Sequence, residues 1–481
     1  MRGRWMVTAI LGVLSIVATP RPDFATRLHD GRLPAQASSQ RPDVVIVLTD
    51  QQRADAFGAA GATDVRTPTM DRLASEGVLF TRAFAATPQC SPSRAALMTG
   101  RYPHRTGVMG NTAEGRGRGT DRPAAGMSPA LDRSLPTFAR VLAAAGYETA
   151  YFGKWHLGGT PGEYGFEVHD ERVDDATLAP RVVAFLRARA ATKPTRPLFL
   201  IVSWLNPHEI YGVLSQTPAA SAMANVRLPS NLIDDLRNKP FPQRHYLEQD
   251  QGRPFIAAGP DVWRRYRAFY NELVETADRE IGTVLAALGR DGDPPITIFS
   301  ADHGDHGGGH GLPYKGPAMY EEVVRIPLVI SWPGKIRPAR TDALASLMDL
   351  LPTVCDLTGV PMPSGVDGLS LRPILDQRAP SVRESLVVEY YGKQAWRVPI
   401  RMLRTPRWKY VRYVSYGEEL YDLSADPGEL RNLVREPSVA PEMKRLAREL
   451  DEWIRRTGDP FPTLSVTDRS GLPVPEEKIP R

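Results

Sequence analysis

The feature that most constrains the fold is a series of short apolar segments, rich in β-branched residues, that alternate with amphipathic segments. These apolar segments lie at residues 43–49, 147–152, 197–204 and 296–300. Strands that are apolar throughout are typical of parallel sheets that are covered on both faces. The amphipathic segments, such as residues 261–288, have helical periodicity. The sequence therefore predicts an α/β fold with a large, mostly parallel sheet flanked by helices on both faces.

The pattern changes after about residue 375, where short strands follow one another without long helices between them. These strands are predicted at residues 385–391, 401–404 and 409–413. They indicate a small antiparallel sheet, and a closing helix at residues 441–457 precedes a Pro-rich tail. We therefore predict three parts: a leader at 1–40, a catalytic α/β domain at 41–375 and a C-terminal subdomain at 376–481.

The N-terminus has the composition of a secretory signal peptide. Arg2 and Arg4 precede an apolar run at residues 6–18, which is the length of a signal-peptide core and short for a bilayer span. The alternative is an uncleaved membrane anchor, and the cleavage site stays open. We expect an exported protein, periplasmic or secreted, with no stable membrane association after cleavage.

The charge composition argues against a nucleic-acid partner. The 481 residues carry a formal net charge of only +5, and no run of Lys and Arg forms a nucleic-acid-binding stripe. The 42% hydrophobic and 24% charged residues are typical of a globular chain. Of the two cysteines, Cys355 lies in an apolar pattern, read as a helix over residues 344–357, and is predicted to be an inert core residue.

Acidic residues directly follow two of the predicted strands. Asp50 ends the first apolar segment, and Asp302 comes just after residues 296–300. The carboxyl ends of the strands in an open α/β sheet border the ligand crevice. Two carboxylates that converge there form a site suited to a hard cation such as Ca²⁺ or Mg²⁺. The alternative for either aspartate alone is a turn or a helix cap.

Residues 90–100 (CSPSRAALMTG) predict a short helix with Cys90 at its first turn. Pro92 is tolerated in a first turn, and Gly100 can end the helix. Unpaired backbone N–H groups at a helix N-terminus favour an anion, and Arg94 is expected to add a bidentate fork for a tetrahedral oxyanion. The alternative is an ordinary half-buried cysteine before a helix.

The motif Cys90-x-Pro92-x-Arg94, followed by LMTGR at residues 97–101, resembles the signature of the type I sulfatases. The resemblance extends from about residue 42 to about residue 433. In this family, part of the alkaline phosphatase superfamily, a formylglycine-generating enzyme reads the motif and converts the cysteine to formylglycine (3-oxoalanine). The resemblance implies a sulfuric ester hydrolase for organic sulfate esters, such as sulfated carbohydrates or aryl sulfates.

The resemblance also implies a metal site and a set of catalytic residues. The implied metal ligands are Asp50, Gln51, Cys90, Asp302 and His303, with Ca²⁺ as the expected ion and Mg²⁺ or Mn²⁺ as alternatives. One hydroxyl of a hydrated formylglycine would attack sulfur, and Asp302 would be the nearest group to take its proton.

Lysines and histidines after other strands complete the implied site. Lys154 in GKWHLG and Lys315 in LPYKG match the sulfate-binding lysines of the family, and Arg94 would add positive charge. His208 in NPH matches the histidine that protonates the leaving oxygen, and His156 is a possible base. Taken alone, each of these histidines would be read as a capped or surface histidine.

The loop after residue 300 is rich in glycine and histidine, but its spacing fits no familiar zinc motif. We predict that His310 in this loop and Asn111 line the substrate pocket. His104, in RYPHRTG, is expected to be structural.

The predicted metal ligands depart from the pattern common in the family, which often has two adjacent aspartates after the first strand. Asp50-Gln51 and Asp302-His303 also occur in the phosphonate monoester and phosphodiester hydrolases of the same superfamily, which are the alternative activity. A non-catalytic binding homologue is a third possibility. The substrate and the oligomeric state stay open, and specificity is expected in residues 110–134, residues 216–260 and the C-terminal subdomain.

Overall fold

The computed structural model describes residues 41–113, 127–288, 293–393 and 395–474. The predicted signal peptide and leader, residues 1–40, lie outside the described residues, as does the middle of the predicted loop at 110–134. The residues described from Arg41 onward form one compact unit.

The main sheet has nine described strands in the order β4-β3-β5-β1-β6-β8-β2-β7, and the ninth, β9, pairs with β2. Their bounds are β1 Val44–Asp50, β2 Gly77–Phe84, β3 Glu148–Gly153, β4 Val168–Asp170, β5 Leu198–Pro207, β6 Ile296–Ala301, β7 Arg325–Ile326, β8 Leu328–Ser331 and β9 Ala339–Ser346.

The central strands run parallel, because β1 pairs in parallel with β5 and β6, and β3 pairs in parallel with β4 and β5. Beyond β6 the sheet becomes mixed, since β8 is antiparallel to both β6 and β2. The predicted large, mostly parallel sheet is confirmed. Its parallel half brings the carboxyl ends of β3, β5, β1 and β6 to one edge.

Helices cover both faces of the sheet. The α-helices of the described residues, including those outside this sheet, are α1 Pro68–Glu76, α2 Cys90–Thr99, α3 Pro103–Thr106, α4 Phe138–Ala144, α5 Asp175–Ala191, α6 Ala220–Asn225, α7 Phe241–Gln249, α8 Pro260–Ala287, α9 Glu321–Val324, α10 Leu350–Thr358, α11 Arg372–Leu375 and α12 Ala440–Thr457. Among the described residues, none of these helices combines the length and apolar composition needed to cross a bilayer.

Strand β1 shows why its segment is apolar throughout. Alternate side chains of a strand point to opposite faces. Ile46 and Leu48 therefore pack in the core under α2, α4 and α10, whereas Val45 and Val47 pack under α1, α5 and α8. Cys355, on α10, is buried in the first of these cores, as predicted, and its burial raises the pKa of the thiol to about 11.

A second, four-stranded antiparallel sheet follows the main sheet in sequence. Its strands are β10 Leu386–Lys393, β11 Trp396–Arg404, β12 Trp408–Tyr413 and β13 Gly417–Asp422. One face packs on α12, and the other contacts the main sheet through Val388, Ile400, Phe84 and Leu344. This confirms the predicted C-terminal antiparallel sheet, although β13 was not expected as a strand.

One predicted helix begins later than expected. Residues 344–346, assigned to the helix from their apolar pattern, are the end of β9, because Leu344 and Ala345 pair in parallel with Arg82 and Ala83 of β2. Ser346 then forms a capping box with Asp349, and helix α10 starts at Leu350. Pairing with a neighbouring strand therefore outweighed the local helical periodicity.

Candidate active site

The polar residues that follow the parallel strands converge at one edge of the sheet. Asp50 is the last residue of β1, and Asp302, Lys154 and His208 directly follow β6, β3 and β5. Helix α2 begins there with Cys90. The edge thus carries carboxylate, ammonium, imidazole and thiol groups, as predicted from their positions after strands.

The thiol of Cys90 lies at the centre of this group and is only 1% exposed. Its Sγ is 3.0 Å from Nζ of Lys315, 3.3 Å from Nε2 of His303, 3.7 Å from Oδ1 of Asp50 and 3.9 Å from Nζ of Lys154. Burial raises the pKa of Cys90, but the two lysines and His303 outweigh burial and hold it well below its ordinary value. The position therefore favours a negatively charged or strongly polarised group.

Contacts at the start of α2 fix the position of Cys90. The side-chain oxygen of Asn111 accepts a hydrogen bond from the backbone N–H of Ser91 at 3.2 Å. The hydroxyl of Ser93 donates to the backbone carbonyl of Asp302 at 2.5 Å. Asn111 thus satisfies a free N–H of the first turn, and this contact places it next to Cys90.

Arg94 connects the two carboxylates instead of presenting a fork to the pocket. Its Nη2 donates to Asp50 Oδ2 and its Nε to Asp302 Oδ2, both at 2.9 Å. Its Nη1 donates to the carbonyl of Lys154 at 2.6 Å and to the hydroxyl of Ser203 at 2.8 Å. The predicted bidentate contact with an oxyanion is not supported by these contacts, because they use four of the five N–H groups.

Residues of the predicted metal site lie close enough together to hold a cation. One ligand atom each from Asp50, Cys90, Asp302 and His303 lie within 4.8 Å of one another, and all four residues are buried. Nδ1 of His303 faces the carbonyl of Gly304 at 2.9 Å. It therefore carries a proton, so Nε2 is the ring nitrogen directed toward Cys90 and the one that could bind a metal.

The electrostatics of the two aspartates also fit a cation. Burial and Cys90 raise the pKa of Asp50, but Lys154, His208 and Arg94 hold it well below its usual value. Burial and the negative charge of Asp50 raise the pKa of Asp302 to about 6. A divalent cation between two carboxylates removes this repulsion and favours the ionised state of both.

Gln51 contributes an oxygen to the same space. Its backbone N–H donates to Asp302 Oδ1 at 3.1 Å, and its Nε2 donates to Asp305 at 2.7 Å. This fixes the amide so that Oε1 accepts from Nζ of Lys315 at 2.8 Å. The Lys315 ammonium also lies 3.0 Å from His303 Nε2. A positive group is thus held by the same donor atoms that would bind a metal.

The lysine and histidines predicted to bind or transfer protons surround Cys90. Nζ of Lys154 lies 2.8 Å from Asp50 Oδ2. A hydrogen bond with His156 contributes to the low pKa of Cys90. His208 is half-buried, and burial followed by repulsion from Lys154 lowers its pKa to about 4.

His310 has contacts that do not support the predicted substrate-binding role. Its Nδ1 lies 2.8 Å from Asp234 Oδ2, and its Nε2 lies 3.0 Å from Nδ2 of Asn231. The ring is fully buried and stacks on Tyr320 with centroids 3.5 Å apart. Both ring nitrogens are therefore occupied by protein groups, and His310 fixes the loop after β6.

Two residues near the site were not predicted, namely Tyr211 and Lys393. The Tyr211 ring centroid lies 5.0 Å from that of His208 and 6.0 Å from Nζ of Lys315. Nζ of Lys393, on β10, lies 5.8 Å from the same ring. Tyr211 follows His208 by one turn of a 3₁₀ helix, which is a usable sequence signal, whereas no local motif marks Lys393.

Comparison with known proteins identifies the family. Residues 42–360 match the Sulfatase family, and residues 308–456 match the C-terminal region of N-sulphoglucosamine sulphohydrolase. The chain belongs to the sulfatase family. It is accordingly a sulfuric ester hydrolase, and the resemblance seen around Cys90 is confirmed.

Individual relatives cover most of this sulfatase. A Δ4,5-hexuronate-2-O-sulfatase of Bacteroides thetaiotaomicron is 30% identical over 461 residues, which cover 90% of this chain and 92% of the relative. The solved structure of a 2-O GAG sulfatase superposes with a TM-score of 0.78 at 29% identity, covering 89% of this chain and 95% of that one. A phosphonate monoester hydrolase of Agrobacterium radiobacter shares the fold, with a TM-score of 0.67 at 22% identity and 90% and 99% coverage.

Proposed function

We propose that this sulfatase removes sulfate from a sulfated carbohydrate, with Cys90 matured to formylglycine and a divalent cation bound beside it. The observation that carries the proposal is the placement of Cys90 Sγ within 4 Å of Lys154, Lys315, His303 and Asp50. The substrate class is supported by sulfatase relatives that are named for a carbohydrate substrate. One of them is an N-acetylglucosamine-6-O-sulfatase that is 25% identical and covers 89% of this chain.

Asp50, Gln51, Asp302 and His303 would hold the cation, together with the group at position 90. These donors are oxygens with one imidazole, a set that suits Ca²⁺, with Mg²⁺ and Mn²⁺ as alternatives. The cation would supply fixed positive charge for the sulfuryl oxygens, and formylglycine would supply a nucleophilic oxygen from which sulfate can be released again.

The residues around this pair have separate roles in the proposal. Lys154 and Lys315 stabilise negative charge on the sulfuryl oxygens, because both ammonium groups lie beside Cys90 in a buried site where charge is weakly screened. Arg94 is a positioning residue that holds the two carboxylates. Asp302 and His156 are the groups available to accept protons at position 90.

His208 protonates the leaving alcohol in this scheme. Its pKa of about 4 in the ligand-free site follows from burial and from repulsion by Lys154 and Lys315. A bound sulfate group neutralises those lysines and therefore raises the pKa of His208 toward the pH at which a general acid works. Removal of this general acid should reduce the rate by about 100- to 10,000-fold for a poor leaving group.

The test begins with mass spectrometry of the peptide that contains residue 90. Formylglycine at this position is the expected result, and an unmodified thiol in active protein would contradict the proposal. The same sample is then assayed with a sulfated disaccharide, 4-nitrophenyl sulfate, an aryl phosphodiester and an aryl phosphonate monoester, with Cys90→Ala as the inactive control. Faster turnover of phosphodiester or phosphonate would favour the alternative hydrolase, which has the Asp-Gln and Asp-His pairs found here.

The N-terminal sequence supports export, and we propose a periplasmic or secreted location. Removal of the apolar run at residues 6–18 should retain the protein in the cytoplasm. Cell fractionation and N-terminal sequencing of the mature chain test this and also locate the cleavage site.

A further inference from the structure

Lys393 brings a further positive charge from the C-terminal sheet to the edge of the active site. Its Nζ donates to the backbone carbonyl of Lys315 at 3.3 Å. Nζ of Lys393 and Nζ of Lys315 lie 5.8 and 6.0 Å from the centroid of the same Tyr211 ring. Lys393 is therefore a direct neighbour of a lysine that contacts Cys90, although it comes from β10 of the second sheet.

The position of Lys393 corresponds to the leaving-group side of the site. Tyr211 contacts both Lys393 and His208, and His208 is the proposed acid for the leaving alcohol. Lys393, Tyr211, His208 and Gln251 are all half-buried, whereas Cys90 and Lys315 are buried. In the proposed function the sulfate would bind at the buried end, and the rest of the substrate would lie along this more exposed group.

The ammonium group of Lys393 contacts neutral acceptors. Besides the Lys315 carbonyl it donates to Oε1 of Gln251. Within the described part of the chain no carboxylate lies at ion-pair distance from it, and nearby Asp250 is paired with Arg469 at 2.9 Å. Burial and repulsion by Lys315 lower the pKa of Lys393 to about 7.

Such an arrangement is unfavourable for the protein alone, because a desolvated cation without an anionic partner costs free energy. An anionic group of a ligand would supply the missing partner. Two neutral acceptors also hold the lysine in place, so little conformational entropy is lost when the anion binds.

We propose that Lys393 binds a second anionic group of the substrate, a carboxylate or a further sulfate on the sugar that carries the ester. This inference rests on the proposed function and narrows it: the preferred substrate is an acidic or multiply sulfated sugar. Lys393 is then a specificity-determining residue of the C-terminal sheet, and Gln251 of the segment before α8 positions it.

The experiment compares substrates that differ by one charge. The first pair is a hexuronate 2-sulfate disaccharide and its uronate methyl ester. The second pair is glucosamine N,6-disulfate and glucosamine 6-sulfate. In both pairs the wild-type enzyme should prefer the more charged member, and the pair with the larger preference shows whether the anion is a carboxylate or a sulfate. 4-Nitrophenyl sulfate, which has no second anion, is the reference substrate.

Lys393→Gln should lower kcat/KM for the preferred charged substrate by about 30-fold or more, the range for loss of a buried charged partner. The loss should appear mainly in KM, while 4-nitrophenyl sulfate turnover changes less than about threefold. Lys393→Arg, which keeps the positive charge, should retain most of the wild-type preference for the more charged substrate. Lys335→Gln, an exposed lysine after β8 at the opposite edge of the sheet, is the matched control.

Equal losses on charged and uncharged substrates, or no loss on either, would overturn the inference. The inference would also be overturned if the wild-type enzyme hydrolysed 4-nitrophenyl sulfate but showed no preference for the more charged sugar of either pair. It would likewise be overturned if the wild type hydrolysed 4-nitrophenyl sulfate but neither of the more charged sugars. Failure of the proposed function is distinguishable, since the wild type would then hydrolyse the aryl phosphodiester or phosphonate and not 4-nitrophenyl sulfate.

Discussion

Replacement of Arg94 by methionine tests whether the active site depends on one buried arginine. The Arg94 side chain is 1% exposed, and it pairs with Asp50 and Asp302, whose side chains are fully buried. Methionine keeps much of the side-chain volume and removes every donor. Two carboxylates then remain in the interior without their shared partner.

The magnitude follows from the burial of these groups. Removal of one partner of a buried ion pair costs about 3–5 kcal/mol, because an uncompensated charge stays buried. With an unfolding entropy of about 2.1 cal/mol/K per residue, a folded unit of this size should lose roughly 3–6 °C in Tm. A cation at the proposed site would compensate the same charges, so excess Ca²⁺ should reduce the loss.

The assay is urea and thermal unfolding of wild type and Arg94→Met in EDTA and in excess CaCl₂. The matched control is Arg445→Met, because Arg445 also bridges two carboxylates, Glu442 and Glu449, but lies 47% exposed on α12. Exposed pairs contribute about 0–1 kcal/mol, so the control should be nearly unchanged. If Arg94→Met in EDTA loses no more stability than Arg445→Met, the bridging role assigned to Arg94 is wrong.

Three further predictions concern the nucleophile, the metal and pH. Cys90→Ser should stall as a covalent sulfo-enzyme, visible as a mass increase after reaction with substrate, whereas sustained multiple turnover would contradict the proposed chemistry. EDTA should abolish activity and lower the Tm, and added Ca²⁺ should restore both. The Tm rises because the ion binds only the folded state. Full activity after metal removal would refute the proposed site. Burial lowers the pKa of His104, but two carboxylates outweigh burial: Glu389, whose Oε1 lies 2.6 Å from His104 Nδ1, and then Asp459. The net pKa of His104 is therefore above its ordinary value. Its stabilising charge is therefore present below the unfolded-state pKa near 6.5 and is lost as pH rises through the folded-state pKa. His104→Gln should thus destabilise the protein more at pH 5.5 than at pH 8.5 in urea unfolding, and an equal loss at both pH values would count against this assignment.

Much of the candidate site could be predicted because strand topology brings distant residues together. Asp50 and Asp302 are far apart in sequence, but each lies at the carboxyl end of a strand of the parallel half, and β1 pairs directly with β6. The same rule predicted the place of Lys154 and His208. Gly153 shows how closely these strands meet, since a Cβ there would lie 2.0 Å from the carbonyl oxygen of Ser203.

The direction of a side chain could not be predicted in the same way. The spacing of Arg94 from Cys90 places it one turn into α2, but it does not show which acceptors lie around the guanidinium. Those acceptors come from the ends of β1, β3 and β6, so their arrangement exists only in the folded sheet. His310 is similar, because Asp234 and Asn231, which occupy its nitrogens, precede it by more than 70 residues.

Specificity residues are the hardest to predict, because they come from segments that no strand rule connects. Lys393 and Gln251 are 142 residues apart, and they meet beside Lys315 only because the second sheet packs against the main one. In sequence, Lys393 is an ordinary lysine shortly after the predicted strand at residues 385–391. Its distinctive property is that a half-buried ammonium group beside the proposed sulfate site contacts neutral acceptors. That property depends on the tertiary contacts of all three segments.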